Sequence, residues 1–212
     1  MKKFELTAES KINRFGRTLY RIKACIDFTT TSGDEVKAGD LGGYVEKEQN
    51  LSHNGKAWVW GNAEVCGDAK VWGNAKVWGN AKVWGNAEVC GDASIFSTKH
   101  IFCVTPIGQY ANSLTVFRTK KRELKISFEF ETYEVEEFGK AIHDSWNEEY
   151  VDIAEGAISL AKKHIDLTPE KSFKDCPFCG GKAELDEDSE VVICTECGST
   201  AKEEIWNNRC DD

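Results

Sequence analysis

The sequence predicts a mainly β protein whose centre is a short parallel β-helix. Three observations support this: a six-residue repeat, a turn signal that ends nearly every repeat, and matched side chains eighteen residues apart. The repeat reads Ala-x-Val-x-Gly-Asn/Asp and recurs seven times between Ala57 and Thr98, with the last copy lacking the glycine. Its alanines are Ala57, Ala63, Ala69, Ala75, Ala81, Ala87 and Ala93.

Side-chain alternation along a strand explains the order of residues within the repeat. In Ala75-Lys76-Val77-Trp78, the alanine and the valine share one face, and the lysine and the tryptophan share the other. The glycine and the amide or acid that follows it tolerate positive φ, so they form a corner. Three strands and three corners would close a triangular coil of eighteen residues, with valines inside and tryptophans outside.

The coil length can be tested within the sequence, because residues eighteen positions apart should stack at a spacing of about 4.8 Å. The pairs brought together are Glu64 with Lys82, Lys70 with Glu88, Cys66 with Trp84, and Trp72 with Cys90. Opposite charges meet in two of these pairs, and a large side chain meets a small one in the other two. The sequence is therefore consistent with an eighteen-residue coil.

We expect four parts along the chain. An open coil of about two and a third turns exposes backbone and valines at both ends, so the flanking segments must cap it. Alternating apolar residues, a hairpin pattern and a later helical periodicity indicate what these caps are. The predicted parts are residues 1–50 (β cap), 51–104 (β-helix), 105–166 (β-hairpin and two-helix cap) and 174–212 (a small separate module), with a linker over 167–175.

The last module carries a metal-binding pattern. Two Cys-x-x-Cys pairs, each followed by glycine, are formed by Cys176 with Cys179 and Cys194 with Cys197. Four thiolates satisfy a tetrahedral zinc ion and leave no open coordination position, so we expect structural Zn²⁺. A redox dithiol is the alternative interpretation. Removal of zinc should unfold the module, because its core is too small to hold itself.

Composition limits the classes of partner. The net charge of −9 and a pI near 5.1 argue against a broad nucleic-acid-binding surface. The sequence has no apolar run long enough for a membrane span or a signal peptide, and we expect a cytoplasmic protein without membrane contact. Nine cysteines, an odd number that includes a metal pattern, also indicate a reducing compartment.

Candidate ligand-binding residues fall into two groups. The outward tryptophans either pack against the caps or another subunit, or form a stacking platform for a planar ligand such as a base. The basic hairpin tip can bind phosphate or be a solvated turn, and four residues on the same hairpin can line a small polar site. The ligand-binding prediction comprises Trp60, Trp72, Trp78, Trp84, Gly108, Asn112, Thr115, Arg118, Lys120 and Arg122.

We expect no enzymatic activity. The four histidines lie outside the regular repeats, none is paired at ligand spacing, and the sequence has no glycine-rich phosphate loop or nucleophile–base pair. They are His53, His100, His143 and His164.

Two segments resemble known families. Cys176-Pro-Phe-Cys-Gly-Gly-Lys-Ala-Glu-Leu, with Cys194-Thr-Glu-Cys-Gly and Ile205-Trp-Asn-Asn-Arg, resembles the Lar family of phage restriction-alleviation zinc ribbons. Gly39 to Ser52 with the repeat, and Pro106 to Arg118, resemble phage-encoded hexapeptide-repeat proteins. These resemblances imply a phage or prophage origin, a left-handed β-helix and a homotrimer.

Together these observations lead to one expected function and two alternatives. The expected function is an oligomeric, non-enzymatic binding protein that counters host defence by sequestering a nucleotide-type immune signal. The first alternative is an inhibitor of a restriction or other defence enzyme that acts by protein contact through the zinc ribbon. The second alternative is an enzyme like the hexapeptide acyltransferases, which place histidine at subunit interfaces.

Overall fold

The computed structural model describes residues 2–108, 110–168, 176–179, 181, 183–186, 191–194, 197–202 and 205–206. The chain divides into two compact units, Met1–Leu167 and Thr168–Asp212. In the described residues, strands predominate and two α-helices follow them in the first unit. Neither of these helices has the length and apolar character needed to cross a membrane.

The first unit begins with antiparallel strands. The strands are β1 (Phe4–Ile12), β2 (Thr18–Ala24), β3 (Phe28–Thr29), β4 (Glu35–Val36) and β5 (Leu41–Val45). β1 pairs with β2, β2 pairs with β5, and β3 pairs with β4. Phe4, Ile22 and Val36 point into the main core, so these strands cover part of the repeat region.

Each six-residue repeat forms one two-residue strand. These strands are β6 (Trp58–Val59), β7 (Glu64–Val65), β8 (Lys70–Val71), β9 (Lys76–Val77), β10 (Lys82–Val83), β11 (Glu88–Val89) and β12 (Ser94–Ile95). They pair in parallel as three ladders, β6–β9–β12, β5–β7–β10 and β8–β11. Pairs such as Glu64 with Lys82 and Lys70 with Glu88 are eighteen residues apart, as predicted. The repeat valines are fully buried between the ladders.

The ladders begin before the first repeat, in the range predicted as a cap. Val45 pairs with Val65 and Leu51 bridges to Val71, so the spacing here is twenty residues. The two extra residues lie between Leu51 and Val59, in a loop that contains His53. The double glycine in β5 has a steric reason, because a Cβ on Gly43 would lie 2.8 Å from the Ala63 carbonyl oxygen.

An antiparallel sheet follows the ladders. Its strands are β13 (Ile101–Ile107), β14 (Asn112–Arg118), β15 (Leu124–Phe128) and β16 (Glu131–Glu134), paired in that order. Leu114, Val116 and Ile126 pack against the helices α1 (Val135–Ser145) and α2 (Glu148–His164). Phe117 lies in the core of the ladders, so the sheet separates the ladders from the helices.

The helical periodicity predicted the wrong residue for part of the buried face of α2. The helical periodicity of the sequence predicts an apolar stripe of Tyr150, Ile153, Ala157, Ile158, Ala161 and Ile165, but 49% of Ile153 is exposed. Val151 and Ala154 are buried in its place. Ile153 lies about 200° around the helix from Val151, so both cannot face the sheet.

The second unit is a small sheet of β17 (Ala183–Asp186), β18 (Val191–Cys194) and β19 (Thr200–Lys202), paired in chain order. Val192 and Trp206 are buried with two of the cysteines. Of the predicted linker over 167–175, residues 169–175 lie outside the described residues.

Candidate functional site

Four cysteines of the second unit meet at one point. The Sγ atoms of Cys176, Cys179, Cys194 and Cys197 lie within 4.8 Å of one another. Cys176 and Cys197 are 3.7 Å apart, and Cys179 and Cys194 are 3.4 Å apart, measured between sulfurs. A tetrahedral Zn²⁺ site with bonds of about 2.3 Å has sulfur–sulfur edges of about 3.8 Å. The donor set and its spacing therefore fit a metal ion.

Backbone amides support these thiolates. The Gly181 N–H donates to Cys179 Sγ at 3.4 Å, and the Cys197 N–H donates to Cys194 Sγ at 3.5 Å. Gly198 has a φ of 73°, which brings its N–H to the Cys194 carbonyl oxygen at 3.0 Å. The glycine after the second cysteine pair thus closes a tight turn that requires positive φ.

The ladder register places outward side chains of the first unit in three separate columns. Each column consists of the residues that directly follow the buried valine, or its equivalent, on paired strands. These residues therefore lie side by side on consecutive strands of one ladder. The columns are Trp60–Trp78–Phe96, Glu46–Cys66–Trp84 and Ser52–Trp72–Cys90. The four predicted tryptophans therefore lie on three different faces and do not form one platform.

The first column is packed against neighbouring aromatic side chains. Trp58, the neighbour of Trp60 two positions earlier, is fully buried, with its ring centroid 5.4 Å from that of Phe28. Trp60 meets the edge of Trp58 at 6.5 Å, and Trp78 lies 4.9 Å from Phe96. The aromatic rings of this column therefore pack against neighbouring aromatic rings.

The second column is partly covered as well. Trp84 meets Phe15 edge to face at 4.7 Å, and the Arg14 guanidinium lies 5.0 Å from the Trp84 ring. Cys66 is buried beneath Leu19 and Tyr44. Burial raises the pKa of the Cys66 thiol, which therefore stays protonated at neutral pH.

The third column leaves a groove. Trp72 is flanked by Ser52 on one side and Cys90 on the other, and neither is large enough to cover the indole. The groove beside it has a volume of about 650 Å³. Its walls come from three separate segments of the chain: Glu48, Gln49, Leu51, Ser52 and His53; Lys70, Val71 and Trp72; and Phe130.

Phe130 overhangs the groove from a strained turn. Glu129 and Phe130 join β15 to β16 with φ angles of 52° and 65°. A left-handed conformation is unusual for a bulky residue and costs about 1–3 kcal/mol. The Phe130 side chain is nevertheless 60% exposed, and the Lys70 Nζ lies 4.6 Å from its ring centroid. The alternation of apolar residues from Leu124 to Phe130 predicts a strand through Phe130, and this prediction was wrong because β15 ends at Phe128.

Cys90 holds this turn beside Trp72. Its Sγ lies 3.1 Å from Thr132 Oγ1 and 3.6 Å from Ser127 Oγ, and both partners flank the β15–β16 turn. Burial raises the pKa of the Cys90 thiol, so it acts as a neutral packing group.

A carboxylate forms the polar wall of the groove. His53 Nδ1 accepts a hydrogen bond from the Lys3 N–H at 3.2 Å, so its Nε2–H donates to Glu48 Oε1 at 2.7 Å. The His53 ring stacks on Phe4 with centroids 4.4 Å apart. The Lys2 Nζ lies 3.5 Å from the same carboxylate oxygen. The hydrogen bond from His53 lowers the pKa of Glu48, which keeps the carboxyl group ionised.

The predicted hairpin residues lie elsewhere. Thr115 is buried, and its Oγ1 accepts from the Glu88 N–H at 3.0 Å. Arg118 is also buried, with its guanidinium 5.1 Å from the Phe96 ring. Asn112 donates to Glu129.

The remaining three hairpin residues lie at turns. Gly108 has a φ of 69°, and a Cβ there would lie 3.0 Å from Trp146. Lys120 and Arg122 are exposed in the turn between β14 and β15. Among the residues that line the groove, Trp72 is the one that belongs to the ten predicted ligand-binding residues.

Sequence patterns did not indicate Glu48, His53, Lys70 or Phe130 as groove residues. Lys70 shares an outward face with Trp72, which is a usable signal. The eight-residue spacing from Leu51 to Val59, where the repeat has six, marks the loop that carries His53. Nothing local in the sequence connects Phe130 to either segment.

No protein-family model matches the chain, and no curated protein matches it.

Proposed function

We propose that this protein is a non-enzymatic binding protein of phage type that counters host defence by sequestering a small nucleotide-type ligand. The observation that carries the proposal is the groove formed by Trp72, Phe130 and Lys70. Its volume of about 650 Å³ lies within the range typical of small-molecule sites. The strained turn at Phe130 adds to this argument, because such strain is concentrated at functional sites.

The chemistry of the walls suits a planar ring. Trp72 and Phe130 offer aromatic faces, on which bases stack with about 1–3 kcal/mol each. The Lys70 ammonium makes no ion pair within the described residues, so it is available to an electron-rich ring or one negative charge. Three chain segments converge here without filling the space, which distinguishes this column from the column of Trp60 and Trp78.

The proposal includes an assembly. We infer that the three ladders are the faces of a left-handed β-helix and that three copies of the chain associate, as hexapeptide-repeat proteins commonly do. The ion at Cys176, Cys179, Cys194 and Cys197 is Zn²⁺ in a structural role. The protein would act in the cytoplasm of an infected or lysogenic bacterial host.

Isothermal titration calorimetry with cyclic and ADP-ribose-type nucleotides tests the proposal. We expect heat from at least one ligand, and loss of that heat in Trp72→Ala. Trp84→Ala is the matched control, because Trp84 lies in a different column and should leave binding unchanged. If none of these nucleotides gives heat while the protein in the calorimeter is a folded oligomer, the proposal is refuted.

The second unit supports another candidate function, inhibition of a defence enzyme by protein contact. Phe178 lies between the first two cysteines and is 80% exposed, and Ile205 is 63% exposed. Exposed apolar side chains on a small module are typical anchors of protein interfaces. Phage plating on a restricting host separates the two candidates. This candidate predicts that Phe178→Ser abolishes protection and Trp72→Ala does not.

An acyl-transfer enzyme is the third candidate and has the least support. His53 is engaged by Glu48, and His100 is buried against Phe96. His143 contacts Glu155, and His164 contacts the Thr98 carbonyl oxygen. Each histidine thus has a structural partner, and turnover lost in a single histidine variant would be needed to support catalysis.

A further inference from the structure

We propose that the groove recognises the nucleoside part of its ligand, with the Glu48 carboxylate accepting hydrogen bonds from ribose hydroxyls and the base stacking on Trp72 and Phe130. This inference rests on the proposed function, because it names the ligand class of the same groove. It differs from phosphate recognition, in which several cations or amide donors surround an anion.

The charge of the groove argues against a phosphate chain. Its lining contains one ammonium group, Lys70, and one carboxylate, Glu48, and the Lys2 Nζ lies 3.5 Å from that carboxylate. Phosphate groups bind where several N–H donors or guanidinium groups converge. The one imidazole N–H in the wall, on His53 Nε2, is already donated to Glu48. A ligand that enters with two or more phosphates would meet the Glu48 carboxylate, while Lys70 is the ammonium group of the lining and Lys2 is already paired with Glu48.

Glu48 is positioned as an acceptor for a ligand. The contacts from His53 and Lys2 both end on Oε1, and no contact with the part of the chain that the structure describes ends on Oε2. His53 is itself fixed by the Lys3 N–H and by stacking on Phe4, so the carboxylate is held at the groove edge. An ionised carboxylate has acceptors and no donors, and it therefore suits groups that carry O–H or N–H. Vicinal ribose hydroxyls are such groups, and acidic residues bind them in nucleotide sites of other folds.

The aromatic walls, Trp72 and Phe130, provide the surfaces on which the base of a nucleoside would stack. Trp72 is half-buried and fixed in its ladder, with its backbone N–H donating to the Val89 carbonyl oxygen at 3.0 Å. Phe130 is exposed and lines the groove from its turn. A base has two π faces and one polar edge, so it can contact these rings while the attached ribose reaches Glu48.

A calorimetric series with the full-length protein tests this assignment. The ligands are adenosine, 2′-deoxyadenosine, AMP and ATP, together with the matching guanine series. We expect the ribonucleoside to bind at least about tenfold more tightly than the deoxynucleoside, because one charge-assisted hydrogen bond is lost. We expect AMP and ATP to bind no more tightly than the nucleoside.

Glu48→Gln should weaken ribonucleoside binding about tenfold and weaken deoxynucleoside binding less, because 2′-deoxyadenosine retains the 3′-hydroxyl but lacks the 2′-hydroxyl. Glu5→Gln is the matched control, because Glu5 pairs with Lys23 on the neighbouring strand and does not line the groove. Thermal melts of both variants report whether they are folded.

Three results would overturn the inference. Affinity that rises stepwise from nucleoside to triphosphate and is lost in Lys70→Gln would identify phosphate recognition. Equal affinity for the ribonucleoside and the deoxynucleoside would refute the proposed hydrogen bond between Glu48 and the ribose. Binding of cyclic or ADP-ribose-type nucleotides without any binding of nucleosides would leave the proposed function intact and refute this inference. No heat from any nucleoside or nucleotide would refute both.

Discussion

Trp72 lies directly beside Cys90 because Val71 pairs with Val89 on the neighbouring strand. On its other side, the bridge from Leu51 to Val71 places Ser52 next to the same indole. In the first column, by contrast, Trp60 and Phe96 occupy the positions on either side of Trp78. The groove therefore exists because two small residues replace two aromatic ones in an otherwise similar ladder.

Ser52→Trp should close the groove without disturbing the fold. The new indole would extend the third column in the way that Trp60 extends the first, and it would occupy the space beside Trp72. We expect loss of ligand binding by calorimetry, with a melting temperature equal to or above that of the wild type. Asn54→Trp, on the exposed loop nearby, is the control and should bind normally. Normal binding by Ser52→Trp would show that the ligand lies elsewhere.

Phe130→Gly should stabilise the protein and weaken its binding. Glycine adopts positive φ without steric cost, so the substitution relieves strain of about 1 kcal/mol. We expect a higher urea midpoint for the first unit together with lost or weakened ligand binding. Phe15→Gly is the matched control, since Phe15 is 56% exposed but has no left-handed backbone, and it should not raise the midpoint. A Phe130→Gly variant that is both less stable and fully active would contradict the assignment.

Stability should fall as the pH drops from about 6.5 to 4, and His100 should account for part of that fall. Burial, with a smaller contribution from the Arg118 charge, lowers the pKa of His100 to about 4. The unfolded chain therefore binds a proton at this position between about pH 6.5 and 4 that the folded chain does not bind. The maximum loss is about 3 kcal/mol from the difference between these pKa values.

His100→Asn tests this linkage. The Phe96 N–H donates to His100 Nδ1 at 3.4 Å, and an asparagine oxygen can accept in the same place. Asn50 already plays a comparable role in the first coil, where its Oδ1 accepts from the Lys47 N–H at 2.9 Å. Urea titrations at several pH values should give a shallower pH dependence between 6.5 and 4 for the variant. Identical slopes would exclude His100 as the source.

Metal removal should affect the second unit selectively. The cysteine cluster lies in a core that consists of a few buried residues, including Val192 and Trp206. A chelator, or Cys176→Ser, should unfold this unit and release one Zn²⁺ per chain, while ligand binding by the first unit persists. Metal analysis and calorimetry on the same sample check both parts. Retention of structure in the second unit without metal would contradict a structural role.

The sequence predicts the ladders well because their signal is local and repeated. Buried valine, glycine corner and eighteen-residue pairing follow from strand alternation and chain geometry alone. The first coil is harder to predict, because Leu41–Val45 and Leu51 lack the Ala-x-Val pattern. There, Asn50 bonds to the Gly67 and Ala69 carbonyl oxygens at a corner without the Gly-Asn/Asp signal.

The groove could not be predicted from local patterns. Leu124, Ile126, Phe128 and Phe130 alternate regularly, so the pattern continues through the turn at which the strand ends. The two turn residues, Glu129 and Phe130, are not residue types that favour the left-handed backbone that this turn adopts. The position of Phe130 above Lys70 depends on how the β15–β16 hairpin packs on the ladders, which is a long-range contact between segments sixty residues apart.

Native mass spectrometry of the protein purified from cells tests the central claim most directly, because it reports subunit number, metal content and retained ligand together. We predict a trimer with one zinc ion per chain and a bound nucleoside-type molecule that is absent from Trp72→Ala. A wild-type protein that carries no small molecule and gains none when incubated with nucleosides and nucleotides would contradict the claim that this groove is a ligand-binding site.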